Sequence, residues 1–238
     1  MNKFNSEFWD SIEPGYYDKN FSFDKTSNSI QQIWHYLTYM KQEKFLDSKK
    51  VHLDYACGPG TQIGMFSNSK SIGYDPSKPQ IIYANQKYKN KNKYFSNNFE
   101  DVLSFGKFDV ITINGLIEYL SKEEIIELVS NLKNLSKSKC KLILTTPNYS
   151  ILFRIVEYLS KFFGIINYEE VNKNKFTKKS LTSLLNELDI KRYSVYKIIN
   201  VGVIIAFLNS KFAIKTEKLI EILFLNKVGF ILTAEIDI

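Results

Sequence analysis

From residue 51 onward, short apolar runs that read as strands alternate with stretches of helical spacing. Val51, Leu53 and Tyr55 open the series as a strand, and Ile63, Met65 and Phe66 begin a helical pattern just after a run of small residues. Further strands are predicted near 70–75, 93–96, 108–113 and 140–146, with helical stretches near 61–68, 77–88, 122–136 and 150–163. Alternation of this kind means parallel strands joined by right-handed crossovers, hence an open α/β sheet of Rossmann-like type with helices on both faces. Ahead of it, Ile30, Ile33, Trp34, Leu37 and Met40 recur at helical spacing behind Asn28 or Ser29 as N-cap. Residues 1–50 are therefore expected to form a helical cap or lid, and residues 51–238 the core domain. After a polar loop at 164–176, Thr177 caps a helix carrying Leu181, Leu184 and Leu185. A strand near 190–199 follows, then an apolar helical connection at 201–225 and a last strand from Val228 to Ile236.

Composition narrows the class. At 238 residues and 44% hydrophobic, the chain can bury one sizeable core. The net charge of +7 comes almost wholly from lysine, with Arg154 and Arg192 the only arginines. A nucleic-acid groove would favour arginine and clustered aromatics, so no nucleic-acid partner is expected. Dispersed lysines read as solvated surface, while an anionic substrate or membrane surface stays open. Cys57 and Cys140 have no metal spacing and read as reduced core thiols of a cytoplasmic protein. No basic-then-apolar leader opens the sequence. The longest apolar run, Val201 to Leu208, falls far short of the ~20 residues that cross a bilayer, leaving a soluble or at most peripheral protein.

The candidate chemistry lies in Asp54-Tyr55-Ala56-Cys57-Gly58-Pro59-Gly60, a strand end, a glycine-rich bend and a helix start. Gly58 and Gly60 permit a sharp turn and a close backbone approach to a ligand. The next strand ends in Asp75-Pro76, about 20 residues after Asp54, where a carboxylate can accept both hydroxyls of a ribose. A dinucleotide fingerprint would place a third glycine after Gly60, where Ile63 stands, and no Lys-Ser/Thr pair follows to hold phosphates. Asp54 would repel a pyrophosphate but suits a cofactor carrying positive charge.

On these residues the chain resembles the class I S-adenosyl-L-methionine-dependent methyltransferases, with Ala56 where glycine is commoner. Phe108-Asp109-Val110 followed by Asn114-Gly115-Leu116-Ile117-Glu118 resembles the fourth motif of the family. Thr145-Thr146-Pro147-Asn148-Tyr149 resembles the strand end of its ubiquinone-type and glycan-modifying branch. The resemblance implies a seven-stranded, mostly parallel sheet, antiparallel at its end. It also implies methyl transfer to a small-molecule, sugar or lipid-linked acceptor by a monomer or homodimer. Cofactor contacts are then expected from Tyr17 or Tyr16 in a lid, from Asp54 to Gly60, and from Asp75 and Pro76. Asn97 or Asn98 is expected at the adenine, and the backbone of Asn114, Gly115 and Leu116 at the methionine part. Relatives often carry histidine after the glutamate, where this chain has Tyr119, and in the loop near Val171 and Asn172. His52 alternates with strand residues and reads as structural. The candidates for a general base are His35, Glu118, Tyr119 and Tyr149. A cofactor-binding but inactive partner subunit and a nicotinamide-dependent oxidoreductase are the alternatives.

Overall fold

Strand β1 (Val51–Tyr55) is an interior strand, third of seven in one sheet, and its alternation fixes what lies on each face. The computed structural model describes residues 6–19, 30–151, 153–154, 172–200, 209–224 and 229–238. The proposed cap residues Asn28 and Ser29, most of the helical stretch expected at 150–163, the loop residues 164–171 and the apolar run 201–208 lie outside them.

The strands are β1, β2 (Lys70–Tyr74), β3 (Lys93–Ser96), β4 (Phe108–Asn114), β5 (Ser136–Pro147), β6 (Tyr193–Ile198) and β7 (Ile231–Asp237), in spatial order β3-β2-β1-β4-β5-β7-β6. Only the two pairings made by β7 are antiparallel, as expected for the end of the sheet. The strand order reverses between β1 and β4, which makes their carboxyl ends the switch point where such sheets bind ligands.

Side-chain alternation divides the sheet. Leu53, Ile111, Ile113, Leu142 and Leu144 turn to one face, packing with Val102 of α6 (Phe99–Phe105), Ile125, Leu128 and Leu132 of α7 (Lys122–Leu135) and Leu181, Leu184 and Leu185 of α8 (Lys178–Glu187). The other face carries α3 (Ile30–Glu43), α4 (Thr61–Phe66), α5 (Lys78–Tyr88) and α9 (Ser210–Phe224). Ile33 and Leu37 of α3 meet Ile198, Ile231 and Ala213 there, while Ile63 and Ile81 meet Cys57 and Phe95. Towards its carboxyl edge this second face turns polar, presenting His52, Asp54, Thr112 and Thr145, all buried.

Two short helices precede α3: α1 (Ser6–Ser11) and α2 (Tyr16–Lys19). Capping boxes start α7 at Ser121 and α8 at Thr177. Helix α6 stands in a stretch for which the sequence pattern predicts no element; Asn98 is its N-cap and accepts the Glu100 N–H at 3.2 Å. Strand β5 begins four residues ahead of its apolar part. Its polar start pairs Ser136 with Phe108, and Lys137 holds Asp109 at 2.7 Å across a register shift between Phe108 and Val110.

Candidate functional site

The bend after β1 is built on left-handed backbone at Ala56 (φ 63°), Gly58 (φ 51°) and Gly60 (φ 76°). Ala56 adopts the conformation that makes glycine commoner at that slot, at about 1–2 kcal/mol of strain. The Cys57 N–H bonds the Tyr74 carbonyl and the Gly60 N–H bonds the Cys57 carbonyl, each at 3.0 Å, which holds the bend against β2. A Cβ on Gly60 would lie 2.5 Å from the Phe95 ring, so no other residue fits. A Cβ on Gly58 would meet nothing within 4 Å: the backbone there faces open space. Pro59 between them is buried.

Asp75, at the tip of β2, points to this bend. Its Oδ2 accepts the Gly58 N–H at 2.9 Å and its Oδ1 accepts the Ser77 N–H at 2.9 Å. Burial raises its pKa to about 6 against those two bonds, and Asp10 pushes it further up. Pro76 follows half-buried and turns the chain towards α5.

Behind the bend lies the polar end of the second sheet face. Asp54 accepts the Thr112 hydroxyl at 2.8 Å, and the Gln62 amide lies 3.0 Å from the same oxygen, assigned with its nitrogen towards Asp54 because its oxygen would otherwise face acceptors. Burial pushes the pKa of Asp54 up to about 7, the Thr112 bond lowers it, and Asp75 raises it. The Gln42 and Gln62 amides meet, and Asn114 Oδ1 accepts from Gln42 at 2.7 Å and from Thr145 at 2.9 Å. Burial, then Asp54, Cys57 and Asp18, push the Tyr39 hydroxyl upward, and its ring packs 5.6 Å from that of Phe66 of α4 between ring centres. His52 lies beneath, 2.8 Å from Thr112 Oγ1 and 3.3 Å from Ser71 Oγ, with burial lowering its pKa to about 3. It is a neutral structural residue, as expected.

Beyond β4, Gly115 and buried Leu116 lead into a one-turn 3₁₀ helix (Ile117–Tyr119), and the Gly115 N–H bonds the Thr145 carbonyl at 3.0 Å. Glu118 is buried beneath this turn. Its Oε2 accepts the Thr146 hydroxyl at 3.0 Å, and burial raises its pKa to about 7. Its carbonyl takes the N–H groups of Lys173 and Asn174, tying the turn to the residues before α8. Tyr119 meets the edge of Trp9 at 5.1 Å between ring centres.

The N-terminal helices close over this edge of the sheet. Asp10 accepts the Ser77 hydroxyl at 2.6 Å, and the Gly15 N–H bonds Gln80 at 3.2 Å. Buried Asp18 accepts from Thr61, Tyr83, Tyr88 and Lys87 at 3.1, 2.7, 2.6 and 2.6 Å. Tyr17 lies in the same helix as Asp18, and the placement of its side chain is outside the described residues.

The remaining expected residues separate. His35 lies on α3 with its ring 5.9 Å from Tyr39, and burial lowers its pKa to about 4. Asn97 is exposed at the end of β3, while Asn98 caps α6. The Tyr149 hydroxyl accepts from the Asn172 amide at 2.6 Å and its N–H bonds the Phe176 carbonyl, so its polar groups tie the β5 end to the following loop. Sequence reasoning missed Asp10, Asp18, Tyr39, Gln42 and Gln62. The one available signal was Thr38 and Gln42, polar residues four apart that share the inward side of an otherwise apolar helix.

Known proteins bear on this arrangement. Residues 29–192 match the model of a family described as a methyltransferase domain. The fold is similar to that of a SAM-dependent methyltransferase from Archaeoglobus fulgidus, at 17% identity and TM-score 0.57, covering 94% of this chain and 99% of that one. It is similar also to magnesium protoporphyrin IX methyltransferase from Synechocystis with bound SAH (14%, TM-score 0.62, 98% and 97% covered). A plantazolicin methyltransferase in complex with SAH gives 20%, TM-score 0.56 and 98% and 93% covered. No curated protein matches the sequence significantly. The bend at 56–60, Asp75 and the buried cluster at the ends of β1 and β4 all fall within the matched residues, and on that match the chain belongs to the methyltransferase-domain family.

Proposed function

We propose that this chain is an S-adenosyl-L-methionine-dependent methyltransferase acting on a small-molecule, glycan or lipid-linked acceptor. The observation that carries the reading is the aim of Asp75: two backbone N–H groups, one from the Gly58 bend, orient its carboxylate beside open space. The residues fit that cofactor. Asp75 keeps lone pairs for ribose hydroxyls, and nothing occupies the position a Cβ on Gly58 would take. Asp54, a carboxylate set among the Gln42, Gln62 and Asn114 amides, suits a cationic amino-acid portion. Asn98 is engaged as a helix cap, which leaves Asn97 as the side chain for the adenine amino group.

When bound, the cofactor supplies a methyl group on a sulfonium, already activated for in-line displacement by an acceptor nucleophile. The protein's task is then positioning and exclusion of water. The helices carrying Trp9, Asp10 and Asp18 act as the lid, fixed to α4 and α5 by Thr61, Ser77, Tyr83 and Lys87. Glu118 is the proposed general base, since its pKa of about 7 matches proton removal near neutrality. His35, lowered to about 4, is a weaker base, and Tyr149 holds the loop. Buried free thiols at Cys57 and Cys140 suit a cytoplasmic setting.

Calorimetric titration with S-adenosylhomocysteine tests the reading. Asp75→Ala should weaken binding roughly 10- to 100-fold, the loss of charge-assisted hydrogen bonds worth about 1.5–3 kcal/mol. Equal affinity of variant and wild type would remove Asp75 from the cofactor site.

A further inference from the structure

Helix α9 carries an outward face that the methyltransferase reading does not use. Phe212, Leu219, Ile222 and Leu223 are 58%, 57%, 71% and 66% exposed. Lys211, Lys215 and Lys218 are exposed beside them. At about 100° per residue, these seven positions fall within one arc of about 140° of the helix surface.

The charges of the helix are sorted. Both of its acids turn inward: Glu217 is buried and accepts the Asn200 amide at 2.9 Å, and Glu221 pairs with Lys41 of α3 at 2.5 Å. The inner side packs through Ala213 against Ile33 and Leu37. The outer arc therefore combines large apolar side chains with cations only. No helix among the described residues is long and apolar enough to cross a membrane.

We propose that this face of α9 docks the protein on an anionic lipid bilayer. Phe212, Leu219, Ile222 and Leu223 enter the headgroup–acyl boundary while Lys211, Lys215 and Lys218 pair with lipid phosphates or carboxylates. An apolar stripe bordered by lysine is the pattern of a helix lying in the plane of a membrane surface, and the lysines supply charge complementarity to anionic lipid. A second copy is the poorer occupant, because a two-fold contact would bring two sets of lysines together with no acid on either outer face. The surface is independent of the cofactor assignment. Helix α3, which α9 packs against, also carries Gln42 to the candidate site.

Co-sedimentation of the full chain with vesicles tests this. Binding is expected to equimolar phosphatidylcholine–phosphatidylglycerol vesicles, and at least about tenfold less to phosphatidylcholine alone. Leu219→Ser/Ile222→Ser and, separately, Lys215→Glu/Lys218→Glu should each lower anionic-vesicle binding by at least about tenfold. All four side chains are exposed, so the thermal midpoint and the affinity for S-adenosylhomocysteine should stay at wild-type values. Wild-type binding by both variants overturns the proposal, as does no binding by the wild type. A dimer in sedimentation velocity that the Leu219→Ser/Ile222→Ser variant abolishes would make a second copy the occupant and also overturn it.

Discussion

Burial determines what each carboxylate near the site can do. Glu118 and Asp54 both rise to about 7 for the same first cause, removal of the carboxylate from water, yet their surroundings differ. Asp54 takes a hydroxyl, faces an amide and lies near a second carboxylate, so a cation beside it would restore its charge. Glu118 has the Thr146 hydroxyl and its own backbone as partners, and burial alone raises it, which is the setting of the base proposed above. A base must be deprotonated to act, so turnover limited by Glu118 rises with pH up to about 7 and then levels. Glu118→Gln keeps an oxygen for Thr146 and the volume of the side chain. It should lower transfer of labelled methyl groups to extracts of the source cells by about 10²–10⁴-fold and abolish the limb near pH 7. A variant with wild-type rate and profile would make Glu118 a structural residue of the 3₁₀ turn.

At the scale of elements, Asp18 takes the largest share of the described side-chain bonds that fix the N-terminal helices, beside the Asp10–Ser77 and Gly15–Gln80 bonds. Asp18 gathers Thr61 from α4 and Tyr83, Lys87 and Tyr88 from α5, and it is fully buried while Lys87 is half exposed. Asp18→Ala strands three hydroxyls and an ammonium, so the variant should lose on the order of 2 kcal/mol in chemical denaturation. Cleavage by protease should move to the segment around residues 13–19, and the affinity for S-adenosylhomocysteine should fall. An unchanged digestion pattern would show that the N-terminal helices do not depend on this contact. Nothing in the sequence marks Asp18, since its partners lie 43 to 70 residues away. The central strands, by contrast, were legible because Val51, Leu53 and Tyr55 carry a period of two into a run of small residues. Asp75 was legible because strand, bend and helix lengths fix where the second strand ends. Helix α6 was not, because its seven residues are too few for a helical period to outweigh the turn signal of Asn97 and Asn98. The amides of Gln42 and Gln62 became visible only once α3 was laid against β1 and β4.

At the scale of the whole molecule, three carboxylates and two histidines shifted by burial form opposed sets among the described residues. Asp54, Asp75 and Glu118 have folded pKa values of about 7, 6 and 7, against an ordinary carboxylate value near 4 in the unfolded chain. Their raised values mean that the folded protein holds protons the unfolded chain has released. Their contribution is fully present below about pH 4 and is lost as pH rises through 6 to 7. His35 and His52 act the other way, with folded values of about 4 and 3 against 6.5 unfolded, so stability from them is lost as pH falls below about 6.5. The two sets offset each other in acid, but above about pH 6.5 the histidines are neutral in both states and only the carboxylates still titrate. Ligand-free protein should therefore become less stable from about pH 6.5 to 8, by at most ~1.4 kcal/mol per pH unit for each group. Asp54→Asn retains the acceptor for Thr112 and removes one titration, so its thermal midpoint should fall less steeply over that interval than the wild type's. Parallel slopes for the two proteins would show that Asp54 is already ionised in the free protein, and with it that burial beneath the Gly58 bend is less complete than the geometry describes.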